Sequence, residues 1–248
     1  MNKFTVQYAT AALALLALPL TGCSQDPAQT TEKNDNDVYT YTDADYDGIG
    51  KTYMGREISY VMGHQGAGWL ERQGRVQEER TDLLLANLPL NSGDNVADIG
   101  AGTGYFSLPM ARIVGKNGRV YAVDIQPEML AIIEARSGDM GITNITRVLA
   151  TEKDPQLPLD TLDLVLFVDA YHEFEWPREV MTGVYNSLVS GGKVILIEYR
   201  MEDPSVPIKR LHKMSEKQAR KELEALGFQF VNNLDLLPQQ HFLVFQKP

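Results

Sequence analysis

Val96-Ala97-Asp98-Ile99-Gly100-Ala101-Gly102-Thr103-Gly104-Tyr105-Phe106 is the stretch of this 248-residue chain on which the reading turns. The apolar run ending at Ile99 predicts a short strand, and a helix is predicted over 104–114 directly behind it. Three alternate glycines between the two let the backbone turn tightly and come close to a ligand. Asp124 ends the next apolar run, 22 residues after Gly102. A carboxylate there can accept hydrogen bonds from both hydroxyls of a ribose. Strand, glycines, helix, strand and acid in that order point to a ligand pocket rather than a bare turn.

Working outward, helices are predicted at 76–88, 127–138 and 177–189, and strands at 95–99, 119–124, 144–149, 162–168 and 193–199. VADIG, VYAVD, LDLVLFVD and KVILIEY are nearly continuous apolar runs, as expected of strands buried on both faces. The sheet should therefore be parallel, with helices on each side. Gly115, Gly138 and the pair Gly191-Gly192 are placed just past helix ends, where a left-handed residue is wanted. Ser215 to Gln218 forms a capping box that opens a last helix at 215–226, closed by Gly227. Two final strands, 228–234 and 241–246, are close enough to pair as an antiparallel hairpin.

A dinucleotide fingerprint, G-x-G-x-x-G, fails in both registers, because its last position falls on Tyr105 or on Ser107. The pattern D-x-G-x-G-x-G instead resembles motif I of the class I S-adenosylmethionine-dependent methyltransferases, over about residues 76–248. The resemblance implies an α/β fold: a Rossmann-like seven-stranded sheet, mostly parallel, with a C-terminal antiparallel hairpin and helices on both faces. It implies S-adenosyl-L-methionine as cofactor. Gly100, Gly102 and Gly104 would line its methionine and ribose portion, and Asp98 would hold the glycine turn and the methionine amino group through water or backbone. Asp124 would take the ribose, Ile125 would pack on adenine, and Thr151 and Glu152 would lie at the adenine edge.

After the fourth strand the chain reads Val168-Asp169-Ala170-Tyr171-His172-Glu173-Phe174. Strand ends at the carboxyl edge of such a sheet face the ligand crevice, which places Asp169 near the cofactor and Tyr171 or His172 near a methyl acceptor. The segment resembles small-molecule methyltransferases, including quinone C-methylating and arsenite-methylating types. Tyr171 and His172 are the candidate catalytic residues, His172 as the base for an acceptor that must lose a proton. Residues 53–75 and 199–214 flank the same edge, carry His64, Trp69, Arg72, Arg75, Lys209 and His212, and at least one of them should shape the pocket.

The beginning of the chain reads differently. Lys3, the apolar run Ala11–Leu20 and then Leu20-Thr21-Gly22-Cys23 form a positive start, a short apolar core and a small-residue cleavage point. The core is too short to cross a bilayer. The tetrad resembles the lipobox of bacterial lipoproteins, which implies cleavage before Cys23 and lipidation of Cys23, the one cysteine of the chain. Ser24 resembles lipoproteins of the outer membrane, so the expected place is the periplasmic face of a Gram-negative outer membrane. Four divisions follow: a signal peptide over 1–22, a flexible acidic tether over 23–47, a helical cap over 48–80, and the methyltransferase domain over 81–248.

The formal net charge of −10 argues against nucleic acid as a partner. A small-molecule acceptor and a lipid-anchored membrane contact are expected instead. The lone cysteine leaves no thiolate cluster, and His64, His172, His212 and His241 are too far apart to suggest a metal site. Export separates the chain from cytosolic cofactor, so a ligand-binding lipoprotein without turnover is the alternative reading.

Overall fold

The computed structural model describes residues 38–248. The signal segment, Cys23 and residues 24–37 of the expected tether lie outside the described residues. Among the described residues no helix is long and apolar enough to cross a membrane.

The large sheet has seven strands. β4 (Asn95–Ile99), β5 (Arg119–Asp124), β6 (Ile145–Leu149), β7 (Leu162–Val168) and β8 (Leu188–Tyr199) run parallel. β9 (Gln229–Asn233) and β10 (Gln240–Gln246) complete it in the spatial order β6-β5-β4-β7-β8-β10-β9. β10 inserts between β8 and β9 and is antiparallel to both, the hairpin expected from the sequence. Val96, Val120, Val165, Ile195 and Phe242 are fully buried, as central strands covered on both faces require. α4 (Ser107–Val114), α5 (Pro127–Asp139), α6 (Pro177–Ser187) and α7 (Glu216–Glu224) supply that cover. The Ser215 side chain accepts from the amide of Gln218, the predicted cap of α7.

The predicted helical cap over 48–80 is corrected. It opens as a three-stranded antiparallel sheet: β1 (Tyr39–Tyr41), β2 (Gly48–Tyr53) and β3 (Arg56–Ser59). Strand β1 also takes residues 39–41 out of the expected tether. Met54 and Gly55, both at positive φ (49° and 93°), make the two-residue turn of a β2–β3 hairpin. Tyr39 donates to Glu179 on α6, which ties this small sheet to the large domain. Helix follows only from a 3-10 turn at His64–Gly66 onward, in α1 (Ala67–Leu70) and α2 (Arg75–Glu79). The helix expected over 76–88 is broken: α3 (Thr81–Asn87) begins after Arg80, which stands in the left-handed region at φ 54°.

Two glycine expectations also change. Gly138 lies inside the last turn of α5, and Gly141 takes the left-handed conformation at φ 64° instead. Gly191 and Gly192 lie within β8, not past a helix end. There Gly191 at φ 81° accommodates a bulge, since Leu162 pairs with Leu188 while Leu164 pairs with Lys193.

Candidate active site

The chain runs outward from β4 to β5 and β6, then returns to β7 on the other side of β4. The carboxyl ends of β4 and β7 therefore part at a topological switch point, where open α/β sheets hold ligands. A cavity of about 600 Å³ lies at this edge.

One end of it is built by the glycine turn. Gly100, Gly102 and Gly104 all take positive φ (72°, 52° and 79°), which other residues adopt only with strain. A Cβ on Gly100 would stand 2.6 Å from the Ala170 Cβ, and one on Gly102 would stand 2.6 Å from Leu70 Cδ1. Gly100 and Gly102 line the cavity; Gly104 does not, and packs against Ile133 of α5. Asp124, at the end of β5, accepts from the amides of Gly102 and Gln126, each at 2.9 Å. Burial raises its pKa while these amides pull it back. Ile125, Thr151 and Glu152 line the cavity beside it, and Ile125 is left 42% exposed.

Asp98 does not reach the cavity. It lies behind the turn, fully buried, where Ser107 Oγ donates to its Oδ2 at 2.5 Å and holds the start of α4. Burial pushes its pKa up to about 6. Asp169 does line the cavity, at φ 50°. Gln240 of β10 donates to its Oδ2 at 2.6 Å, and its buried Oδ1 has no hydrogen-bond partner among the described residues. Burial lifts its pKa well above the ordinary carboxylate value, and the nearby charges of Glu79 and Glu198 add to the lift.

At the other end, Tyr171 and His172 part company. The short 3-10 turn Tyr171–Glu173 sends them in opposite directions. Tyr171 is fully buried away from the cavity, among Phe167 and Phe174, and donates to Glu222 at 2.8 Å. It is therefore no candidate for contact with an acceptor. Glu222 in turn holds Arg56, so Arg56 also belongs to the scaffold. His172 lines the cavity. Its Nδ1 lies 2.6 Å from Glu198 Oε2 and its Nε2 lies 3.0 Å from His212 Nδ1. Burial opposes a charged imidazole, but the charge and hydrogen bond of Glu198 outweigh it and raise the pKa.

Both flanking segments shape the pocket. Met62, Trp69 and Leu70 cover it from one side, and Pro207, Ile208, Lys209 and His212 from the other. The first is fastened over the glycine turn. Gln126 receives the amide of His64 at 2.7 Å and donates to the carbonyl of Met62 at 3.0 Å, while Glu71 accepts from Thr103 at 2.5 Å and pairs with Arg136. Arg75 and Arg72 bind Glu79, whose Oε1 also accepts from Tyr199. Sequence reasoning missed Glu198, Glu79 and Gln240. Glu198 and Gln240 lie in strands read only as apolar filling, Glu79 lies in a stretch read only as helix, and nothing in their spacing marks them.

The pocket fits S-adenosylmethionine. The glycine cradle admits a close ligand, Asp124 stands where ribose hydroxyls can donate, and the unpartnered Oδ1 of Asp169 is an acceptor for an ammonium group.

The model of the methyltransferase domain family matches residues 90–239. The ubiquinone/menaquinone biosynthesis C-methyltransferase UbiE of Psychromonas ingrahamii is 27% identical over 111 residues, 44% of each chain. A probable cobalt-precorrin-6B C(15)-methyltransferase (decarboxylating) of Methanosarcina acetivorans is 38% identical over 94 residues, which cover 36% of this chain and 50% of that one. The chain spans about half the length of the curated relatives it matches. In fold, it is similar to the crystal structure of a SAM dependent methyltransferase from Aquifex aeolicus, with a TM-score of 0.71 at 20% identity over 76% of this chain and all of that one. With the glycine turn, the acid at the end of β5 and the inserted C-terminal hairpin all in place, the chain belongs to the methyltransferase domain family, with the class I S-adenosylmethionine-dependent fold.

Proposed function

We propose that this protein transfers a methyl group from S-adenosylmethionine to a small-molecule acceptor by in-line displacement. The observation that carries the reading is one continuous cavity with the glycine turn and Asp124 at one end and His172 at the other. The cofactor supplies a sulfonium-bound methyl group, which is already activated. Gly100, Gly102, Asp124 and Asp169 hold the donor, and the covering segments exclude water. Alignment of two bound partners can supply roughly 7–11 kcal/mol of the barrier. His172, oriented through Nδ1 by Glu198, takes the acceptor's proton at Nε2. Among the curated relatives, those named as ubiquinone/menaquinone biosynthesis and cobalt-precorrin-6B C-methyltransferases favour a carbon or enol-type acceptor of small size, and Val61, Trp69, Phe174 and Ile208 give it apolar walls.

The test uses labelled S-adenosylmethionine with an envelope extract as the source of acceptor. His172→Ala should bind the cofactor as tightly as the wild type and turn over about 10²-fold more slowly or worse. No transfer by the wild type would favour the ligand-binding lipoprotein. Loss of cofactor affinity in the variant would make His172 a support of the pocket instead.

We further propose that Cys23 is lipidated and anchors the protein to the periplasmic face of an outer membrane. The Leu20-Thr21-Gly22-Cys23 tetrad supports this. A labelled fatty acid should mark the wild type and leave Cys23→Ser unmarked; equal labelling of the two removes the proposal.

A further inference from the structure

Histidines 172 and 212, forty positions apart in the sequence, meet at the acceptor end of the cavity with Glu173 beside them. Nε2 of His172 lies 3.0 Å from Nδ1 of His212. Oε1 of Glu173 lies 3.5 Å from that Nδ1 and 3.8 Å from that Nε2. A tetrahedral ion with bonds of about 2.0–2.1 Å needs its ligand atoms about 3.3–3.4 Å apart. The three edges bracket that value.

Two of the donors are held from behind by hydrogen bonds, and the third has a carboxylate close by. Nδ1 of His172 lies 2.6 Å from Glu198 Oε2, and Nε2 of His212 lies 2.8 Å from Asp47 Oδ2. The second oxygen of Glu173 accepts from the amide of Met62 at 3.1 Å. The Glu198 carboxylate on Nδ1 of His172 fixes the proton there, and so turns the Nε2 lone pair toward His212 Nδ1 across 3.0 Å. The place between the two rings takes either a proton on His212 Nδ1 or a cation. Glu173, Glu198 and Asp47 bring three negative charges around two imidazoles. Lys209, at 2.7 Å from Asp47, answers one of them, and Arg56 is engaged by Glu222. The surplus matches a dication.

We propose that His172 Nε2, His212 Nδ1 and Glu173 Oε1 form a binding site for one divalent first-row transition cation of the zinc type. Two imidazoles and one carboxylate are a donor set that suits such ions, and three protein ligands leave a fourth position open. All three residues line the cavity, so that position faces the place of the acceptor, where a hydroxyl or enolate oxygen can enter. The site does not depend on methyl transfer: its ligands and their supports stand whatever the reaction. With the ion bound, coordination takes over the task otherwise given to a free imidazole.

The full chain, stripped with a chelator and dialysed against Zn²⁺, should retain about one equivalent, and Co²⁺ in its place should give the visible absorption of a four-coordinate site. His212→Ala should lower zinc affinity at least about 100-fold and abolish that spectrum, and Glu198→Gln should lower it about 10–100-fold. His64→Ala should change neither. Because His172 is buried, its variant can fail to fold; the more exposed His212 then decides, with thermal unfolding to show that its variant is intact. Retention of less than about a tenth of an equivalent, or a His212→Ala protein that binds zinc and colours with Co²⁺ like the wild type, overturns the proposal. The measurement needs no cofactor. S-adenosylmethionine affinity of the zinc-free protein is read separately, so failure of the methyltransferase reading leaves this result intact and the reverse.

Discussion

Asp124 accepts a hydrogen bond from the amide of Gly102 at 2.9 Å, across 22 residues of chain and two parallel strands. The acid to which the proposal gives the ribose is thus also the fastening of the glycine turn. One residue serves two ends, and a substitution there should be felt in both.

Asp124→Ala should weaken S-adenosylmethionine binding at least tenfold, through loss of about 2–4 kcal/mol of hydrogen bonding to ribose. It should also lower stability by about 1–3 kcal/mol without ligand, since the amides of Gly102 and Gln126 lose their acceptor. Calorimetry reads the first effect and urea unfolding the second. Unchanged affinity, or tighter binding of NAD than of S-adenosylmethionine, would overturn the assignment of this end of the pocket.

Asp98 gives a pH dependence with a definite sign. Its folded pKa of about 6 lies above the ordinary value near 3.8 because burial disfavours the charge. The folded state therefore holds a proton that the unfolded chain releases. This contribution to stability is fully present below about pH 4 and is lost as pH rises from about 4 to 6, to the extent of roughly 2–3 kcal/mol. Asp98→Asn keeps an acceptor for Ser107 and cannot titrate. The difference in unfolding free energy between wild type and Asp98→Asn should shift against the wild type over that window and be flat above it; a flat difference throughout rules the assignment out.

Tyr171→Phe separates scaffold from site. The hydroxyl touches Glu222, not the cavity, and Glu222 keeps Arg56 and Gln218 as partners. The variant should lose about 1–2 kcal/mol of stability and keep its cofactor affinity and turnover. A drop in turnover of tenfold or more at unchanged stability would return Tyr171 to the acceptor.

The parallel sheet was legible because its strands are buried on both faces and so spell themselves as continuous apolar runs. The small N-terminal sheet was not. Its turn, Met54-Gly55, has a methionine where hairpins usually carry Asn or Asp, and its strands mix glycines, tyrosines and charges. Arg80 likewise interrupts a helical pattern that carries no Gly or Pro at the break. In the site, Gly100, Gly102, Asp124 and Asp169 announced themselves by their place at strand ends. Tyr171 was placed wrongly because neighbours in a 3-10 turn point in different directions, and spacing alone does not say which one faces inward. The His172–His212 meeting depends on how 199–214 folds back, information that resides in tertiary packing.

The insertion of β10 between β8 and β9 has a temporal consequence. Gln240 on that strand holds Asp169, while the glycine turn is made more than a hundred residues earlier. A ribosome that has delivered the turn, β5 and even β8 has delivered a sheet with a missing inner member and an acid with neither oxygen satisfied. The hold on Asp169 is set only after synthesis has passed residue 240, so a nascent chain carries this wall of its pocket unfastened until almost the last strand.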